Sequence, residues 1–173
     1  MILEVGETVV YPHHGAATIT AVKNRKIKGD DKKYITLNIH QSELTIELPV
    51  ENADLVGLRD VIDMAGVEAV YDVLRGEVEE ETGNWSRRFK ANTEKMGSGN
   101  VLRISEVVRD LWRREQGAGV SAGEKRMLFK ARQILVSELA LALKLDDEGA
   151  TAALDAVLVT TIPAVEPAEC VAA

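Results

Sequence analysis

Apolar and polar positions alternate along the first third of the chain, which is the pattern of β-strands with one buried face. Ile35, Leu37 and Ile39 take every second position of one such run, with polar or aromatic residues between them. The runs rich in Val, Ile, Thr, Leu and Tyr are 8–11, 16–25, 33–39 and 44–48. Turn-forming residues separate the runs, so the pattern predicts a small antiparallel sheet with one buried face and one face available to a partner.

Beyond residue 50 the apolar spacing changes from every second position to every third or fourth, which indicates helices. This pattern runs from Val56 to Leu74 and contains Gly66, so that one helix or two short helices fit it. The acidic segment 77–83 has no periodicity. It is therefore predicted to be the boundary between two domains.

Capping residues predict where the later helices begin. Asn84 is suited to cap a helix that starts at Trp85 and ends at the glycine-containing segment 97–99. Ser121 and Glu124 have the spacing of a capping box, which predicts a long helix from there to about residue 145. The other segments are a helix over 101–115 that ends at Gly117 and Gly119, a short last helix over 151–158 and a disordered tail over 163–173.

Two of these helices carry an apolar stripe that is expected to face a core. The stripe of the 101–115 helix is Leu102, Val107, Val108, Leu111 and Trp112. The stripe of the long helix is Met127, Leu128, Ala131, Ile134, Leu135, Leu139 and Ala142. Together the two stripes predict an all-helical second half.

A strongly basic stretch lies inside an acidic protein. The 173-residue chain has a formal net charge of −7, yet the segment 84–132 contains twelve Lys or Arg against five Asp or Glu. Such a segregated basic face attracts phosphate. Aromatic residues make up only 4% of the chain, and Trp85 precedes three cations within five positions. Trp85 is therefore predicted to be exposed in a nucleic-acid contact, whereas Trp112, inside an apolar stripe, is predicted to be buried.

Composition excludes several classes of protein. A content of 46% hydrophobic and 28% charged residues is typical of a soluble globular protein, and no apolar run approaches the roughly 20 residues of a membrane-spanning helix. Cys170 is the single cysteine, which excludes an intrachain disulfide and favours a cytoplasmic location. His13 and His14 have no further ligands nearby and are predicted to be loop residues. Without a phosphate loop or a nucleophile paired with a base, neither enzymatic activity nor a cofactor, metal or small-molecule substrate is predicted.

Four motifs occur in order along the chain: VVYPHHG at 9–15, LPVEN at 48–52, NWSRRFKAN at 84–92 and SAGEKRML at 121–128. Together they resemble the CarD/CdnL family of bacterial transcription regulators, most closely its actinobacterial branch, from residue 1 to about 158. The resemblance implies an α+β protein in which a small antiparallel Tudor-like sheet precedes an all-helical domain. The implied divisions are a polymerase-interacting β domain over 1–56, a connecting helical segment and linker over 57–83, a helical DNA-binding domain over 84–160 and a tail over 161–173.

The resemblance also implies partners and site residues. The β subunit of RNA polymerase would be bound by Arg25, Ile27, Glu47 and Pro49. Trp85 would wedge from the minor groove at the upstream edge of the transcription bubble. The phosphates beside it would be held by Arg87, Arg88, Lys90, Lys125 and Lys130. Glu47 departs from the family pattern, because close relatives carry arginine there, so a contact at this position must have a different chemistry.

The predicted function is that of a regulator that stabilises the open promoter complex. An apolar ring placed beside a base step costs about a few kcal/mol of unstacking in closed duplex, and this cost is largely met already where the strands have separated. The main alternative is a sequence-specific DNA-binding repressor, which needs a recognition helix aimed at base edges. A protein adaptor whose basic patch faces an acidic partner is a third hypothesis.

Overall fold

The computed structural model describes residues 3–12, 14–27, 29–40, 42–77 and 84–160. The strands are β1 (Thr8–Tyr11), β2 (Gly15–Ile27), β3 (Asp30–Ile39), β4 (Thr45–Pro49) and β5 (Arg59–Asp60). The helices are α1 (Met64–Arg75), α2 (Trp85–Gly97), α3 (Val101–Gln116), α4 (Ala122–Leu143) and α5 (Asp147–Val159), and a single 3-10 turn, Val50–Asn52, follows β4. An antiparallel sheet followed by helices is the fold class that the sequence predicted.

The strands form one antiparallel sheet in the order β4-β3-β2-β1-β5, with β4 and β5 at its edges. The predicted alternation holds, because Ile19, Ile35 and Leu37 are fully buried on one face while their neighbours in sequence point to the other. β2 is longer than predicted and pairs with β3 as far as Ile27 and Asp30. The long hairpin of β2 and β3 therefore extends well beyond the buried part of the sheet.

The segment between the sheet and α1 corrects the prediction of a helix that begins at Val56. Residues 53–57 form turns, Arg59 and Asp60 form β5 beside β1, and α1 begins only at Met64. Asp63 caps it by accepting a hydrogen bond from the Gly66 amide at 2.9 Å. Pairing with β1 outweighs local helical periodicity here, and Gly66 lies in the first turn of α1 rather than between two helices.

The five helices in the described part of the chain share one hydrophobic core. Val67, Val70 and Leu74 of α1 are fully buried and belong to the same cluster as Leu135 of α4 and Leu154 of α5. α1 lies in the segment predicted to connect the domains, and it packs against α3, α4 and α5. Residues 78–83 of the acidic segment and the tail 161–173 lie outside the described residues. No helix among the described residues is long and apolar enough to span a membrane.

The predicted helix starts at Trp85 and after Ser121 are confirmed by their caps. The Asn84 side chain accepts from the Arg87 amide at 3.0 Å. The Ser121 amide donates to Glu124 Oε2 at 2.9 Å, and the Glu124 amide donates to Ser121 Oγ at 3.2 Å, which completes the capping box. The last helix begins at Asp147, four residues earlier than predicted, because Asp146 caps it.

The predicted apolar stripes of α3 and α4 are confirmed as buried for most of their residues and corrected for a few. Val107, Val108 and Leu111 of α3 are buried, whereas Leu102 and Trp112 are half-buried against the core. Ile104, which the predicted stripe omits, is also buried. On α4 the residues Met127 and Ala142 are half-buried. The polar residues Ser137 and Glu138 are buried, which the apolar pattern of the sequence does not predict. These two polar residues face the sheet domain.

The contact between the sheet and α4 is polar and closely packed. Arg59 of β5 donates to both carboxylate oxygens of Glu138, at 2.5 Å and 2.8 Å. The Glu138 carboxylate also accepts from the Ile62 amide at 3.2 Å. The Ala16 amide donates to Ser137 Oγ at 3.4 Å, and Gly15, with φ of 82°, would carry a Cβ only 2.8 Å from that oxygen. These contacts hold the sheet against the C-terminal half of α4.

Candidate functional site

Trp85 is the first residue of α2 and has 48% of its surface exposed. Its indole Nε1 donates a hydrogen bond to Ser121 Oγ at 3.0 Å. Ser121 is the N-cap of α4, so this hydrogen bond joins the N-terminal ends of α2 and α4. The polar atom of the indole is satisfied within the protein, which leaves an apolar ring at the surface.

Phe89, one turn further along α2, supports the indole. The two ring centroids are 5.3 Å apart with an interplanar angle of 27°, a stacked arrangement. Gly123 of α4 lies below Phe89, and a Cβ at this position would be 3.3 Å from Phe89 Cε2. Stacking and the Ser121 hydrogen bond hold Trp85 in one orientation, which reduces the entropy lost on binding.

The predicted phosphate contacts divide into cations with different surroundings. Lys90 is 80% exposed and its Nζ is 4.0 Å from Glu94 Oε1, and Lys125 is 62% exposed with its Nζ 3.8 Å from Glu115 Oε1. Such long, solvated ion pairs contribute little and are easily exchanged for a phosphate. Arg87, Arg126 and Lys130 are exposed, and none of them forms an ion pair with a residue that the structure describes.

Arg88 does not lie at the surface with the other cations. Its side chain is 19% exposed, and Nη2 lies 3.7 Å from Oε1 of the buried Glu124. Burial alone would raise the pKa of Glu124, but hydrogen bonds from Ser121 and the nearby Arg88 and Arg114 guanidinium groups lower this pKa below its ordinary value of 4.5. The placement of Arg88 favours a role in joining α2 to α4 over the predicted phosphate contact.

Other members of the basic stretch also have internal partners. Arg109 donates to the carbonyl of Val73 at 3.1 Å, and Arg113 donates to the carbonyl of Leu74 at 3.1 Å. Both guanidinium groups therefore satisfy carbonyls at the C-terminal end of α1, where cations are also favoured by the helix dipole. Fewer cations are therefore exposed than the charge count of the segment suggests.

The residues predicted to meet the polymerase lie along β2 and β4. Arg25 Nη2 is 2.8 Å from Glu47 Oε2, with side chains 48% and 36% exposed. The Arg25 guanidinium also lies 5.4 Å from the ring centroid of Tyr34 on the intervening strand β3. Pro49 pairs with Tyr34 at the end of β4, and Ile27 pairs with Asp30 at the far end of β2. Arg25 and Glu47 are thus partners in an ion pair on this face of the sheet.

Sequence reasoning left three residues of the site without a specific role. Phe89 is four positions after Trp85, the helical spacing at which two aromatic side chains meet, so its stacking was open to prediction. Ser121 was identified only as a cap, because no sequence signal links it to an indole 36 positions away. Helical periodicity places Arg126 away from the apolar stripe of α4, but whether an acidic residue lies opposite it depends on how the helices pack.

The comparisons with known proteins agree with this architecture. Residues 3–62 match the CarD-like/TRCF RID domain, and residues 69–155 match the CarD C-terminal domain. The protein is therefore a transcription factor whose sheet and helical domains correspond to two known family domains. The chain belongs to the CarD/CdnL family.

A curated relative and a solved structure are also similar to the chain. The proposed transcription factor YdeB of Bacillus subtilis (strain 168) is 29% identical over 138 residues, which cover 80% of this chain and 90% of YdeB. The solution NMR structure of the 72-residue N-terminal domain of Myxococcus xanthus CarD is 24% identical. The aligned region covers 34% of this chain and 77% of that chain, with a TM-score of 0.29.

Proposed function

We propose that the protein is a non-enzymatic transcription regulator that binds the β subunit of RNA polymerase through its sheet domain and stabilises the open promoter complex through its helical domain. The match to the CarD-like/TRCF RID domain over residues 3–62 supports the polymerase contact. The match to the CarD C-terminal domain over residues 69–155 supports the assignment of the helical domain. Four residues are proposed to meet the polymerase: Arg25 and Ile27 on β2, and Glu47 and Pro49 on β4.

The observation that carries the proposal is the geometry of Trp85. Its apolar ring is half-exposed and is held by Ser121 and Phe89. Insertion into closed duplex costs about a few kcal/mol of unstacking, whereas the separated strands at the edge of a bubble have already met that cost. A ligand shifts an equilibrium only by its differential affinity for the two states, so a ring that fits the melted junction favours the open complex.

Phosphate contacts would position this ring without reading the sequence. Arg87, Lys90, Lys125 and Lys130 are exposed around the start of α2 and the first turns of α4. Lysine and arginine side chains at such positions bind the DNA backbone through charge. The promoters that respond would then be chosen by the polymerase and by the stability of each bubble.

The first experiment removes the ring. Trp85→Ala should leave polymerase binding intact and shorten the lifetime of open complexes at promoters that melt reluctantly, because the wedge acts after docking. Lifetimes are measured by competitor challenge with the cognate polymerase. Phe129→Ala is the matched control, because Phe129 is also an exposed aromatic residue, 64% accessible, on α4. Unchanged lifetimes with Trp85→Ala would contradict the proposal.

A second experiment separates the proposed function from a sequence-specific repressor. Replacing Lys90, Lys125 and Lys130 with alanine should weaken binding about equally on promoter and scrambled DNA. The slope of log affinity against log salt should flatten by roughly 0.9 for each phosphate that the variant no longer neutralises. A weakening confined to one promoter sequence would instead demonstrate base readout and support the repressor.

A further inference from the structure

An apolar groove of about 500 Å³ lies between α2 and α4, next to the stacked aromatic pair. Phe89, Met96 and Met127 give it an apolar lining. Gly97 and Gly123 also line it, one on each helix, so little side-chain bulk fills the space between the two helices there. Phe89 both supports Trp85 and lines the groove, so the groove continues directly from the proposed wedge.

Two cations of α4 line the same groove. Arg126 and Lys130 are one helical turn apart, and neither forms an ion pair with any residue in the described part of the chain. Elsewhere on α4, Lys125 lies near Glu115 and Arg132 contacts Asp155 at 2.5 Å. The groove therefore combines an apolar interior with uncompensated positive charge, which is complementary to a ligand that is flat and apolar in one part and anionic in another.

We propose that this groove binds an unpaired nucleotide of single-stranded DNA beside the wedge. The base packs against Phe89 and Met127, and the flanking phosphates contact Arg126 and Lys130. Aromatic side chains with cations beside them are the usual means of holding single strands without sequence preference. The inference rests on the proposed function, and it adds a site for one strand of the melted junction to the contact that Trp85 makes.

An unpaired nucleotide fits the groove better than an acidic peptide does. The groove adjoins Trp85, where the proposed function places the first separated base pair, and an unpaired base there has lost its stacking partner. Phe89 supplies an aromatic surface to replace that partner. A peptide would use the charge of Arg126 and Lys130, but it would have no particular need for the ring.

The test uses the full chain and two DNAs of the same sequence, a blunt duplex and a fork with one single-stranded arm. The substitution Thr93→Glu places a carboxylate in the groove, and Thr93→Gln is the neutral control of equal size. Thr93 is exposed on α2 and lines the groove, so neither change disturbs the core. Thr93→Glu should lower the affinity for the fork, relative to the duplex, by roughly five-fold or more, while Thr93→Gln leaves the ratio within about two-fold.

A second measurement locates the base directly. A fork with 5-iododeoxyuridine at the first unpaired position should cross-link on irradiation to Phe89, Met96 or Met127. An unchanged ratio of fork to duplex affinity with Thr93→Glu, or cross-links only outside the groove, would overturn the inference. Weakened polymerase binding with an unchanged ratio would assign the groove to a protein partner and would overturn it as well.

Trp85→Ala separates this inference from the function on which it rests. If Trp85→Ala shortens open-complex lifetimes while Thr93→Glu leaves the ratio unchanged, the groove assignment fails and the proposed function stands. If Thr93→Glu lowers the ratio of fork to duplex affinity while Trp85→Ala leaves open-complex lifetimes unchanged, the groove binds single strands but Trp85 does not stabilise the open complex. The two failures are therefore distinguishable.

Discussion

The ion pair between Arg59 and Glu138 should be the most sensitive point of the contact between the two domains. The Glu138 side chain is 1% exposed and that of Arg59 is 29% exposed. Removing one member of a buried pair leaves the other charge uncompensated, which typically costs about 3–5 kcal/mol. Water still reaches Arg59 and solvates part of its charge. For Glu138→Gln we therefore expect the free energy of unfolding to fall by about 3 kcal/mol, the lower end of this range.

The assay is urea denaturation at neutral pH, followed by far-ultraviolet circular dichroism. Glu94→Gln is the matched control, because Glu94 is 69% exposed and its Oε1 lies 4.0 Å from the Nζ of Lys90. Such an exposed pair contributes at most about 1 kcal/mol. If Glu138→Gln were as stable as Glu94→Gln, the reasoning that the Arg59 pair fastens the two domains together would be refuted.

A double-mutant cycle tests the pairing itself. Arg59→Leu and Glu138→Leu should each be strongly destabilising, because each leaves a charge without its partner. The double variant should be less destabilised than the sum of the two, with a coupling free energy of about 1–3 kcal/mol. Additive losses would show that the two residues contribute to stability separately and would contradict the role assigned to the pair.

Two further predictions concern other charged residues. The lowered pKa of Glu124 means that its ionised form stabilises the fold at neutral pH. In urea titrations at a series of acidic pH values, the stability advantage of wild type over Glu124→Gln should therefore shrink as the pH falls below 4.5. A constant advantage down to a pH of about 2 would contradict this. Glu47→Arg and Arg25→Glu should each weaken binding to the isolated β-subunit lobe, measured by interferometry at two salt concentrations. Because Glu47 pairs with Arg25, the effects of the two substitutions on this binding should not add. Fold stability should change by no more than about 1 kcal/mol, and equal binding by Glu47→Arg at both salts would place Glu47 outside the interface.

Local signals in the sequence determined most of the elements. The alternation of Ile35, Leu37 and Ile39 fixed the buried face of the sheet, because side chains of a strand point alternately to its two sides. Asn84 and Ser121 fixed the starts of α2 and α4, because their caps act within three residues. The exposure of Trp85 was likewise predicted from its immediate neighbours.

Only the tertiary structure decided which charges are free and which are internal. Arg88 and Lys90 are close in sequence, yet Arg88 lies against Glu124 while Lys90 points to solvent. Ion pairs such as that between Arg59 and Glu138 join residues 79 positions apart, and no local pattern encodes their distance. The same holds for Trp85 and Ser121, since an interaction between remote segments depends on the packing of whole elements, and packing is a property of the folded chain.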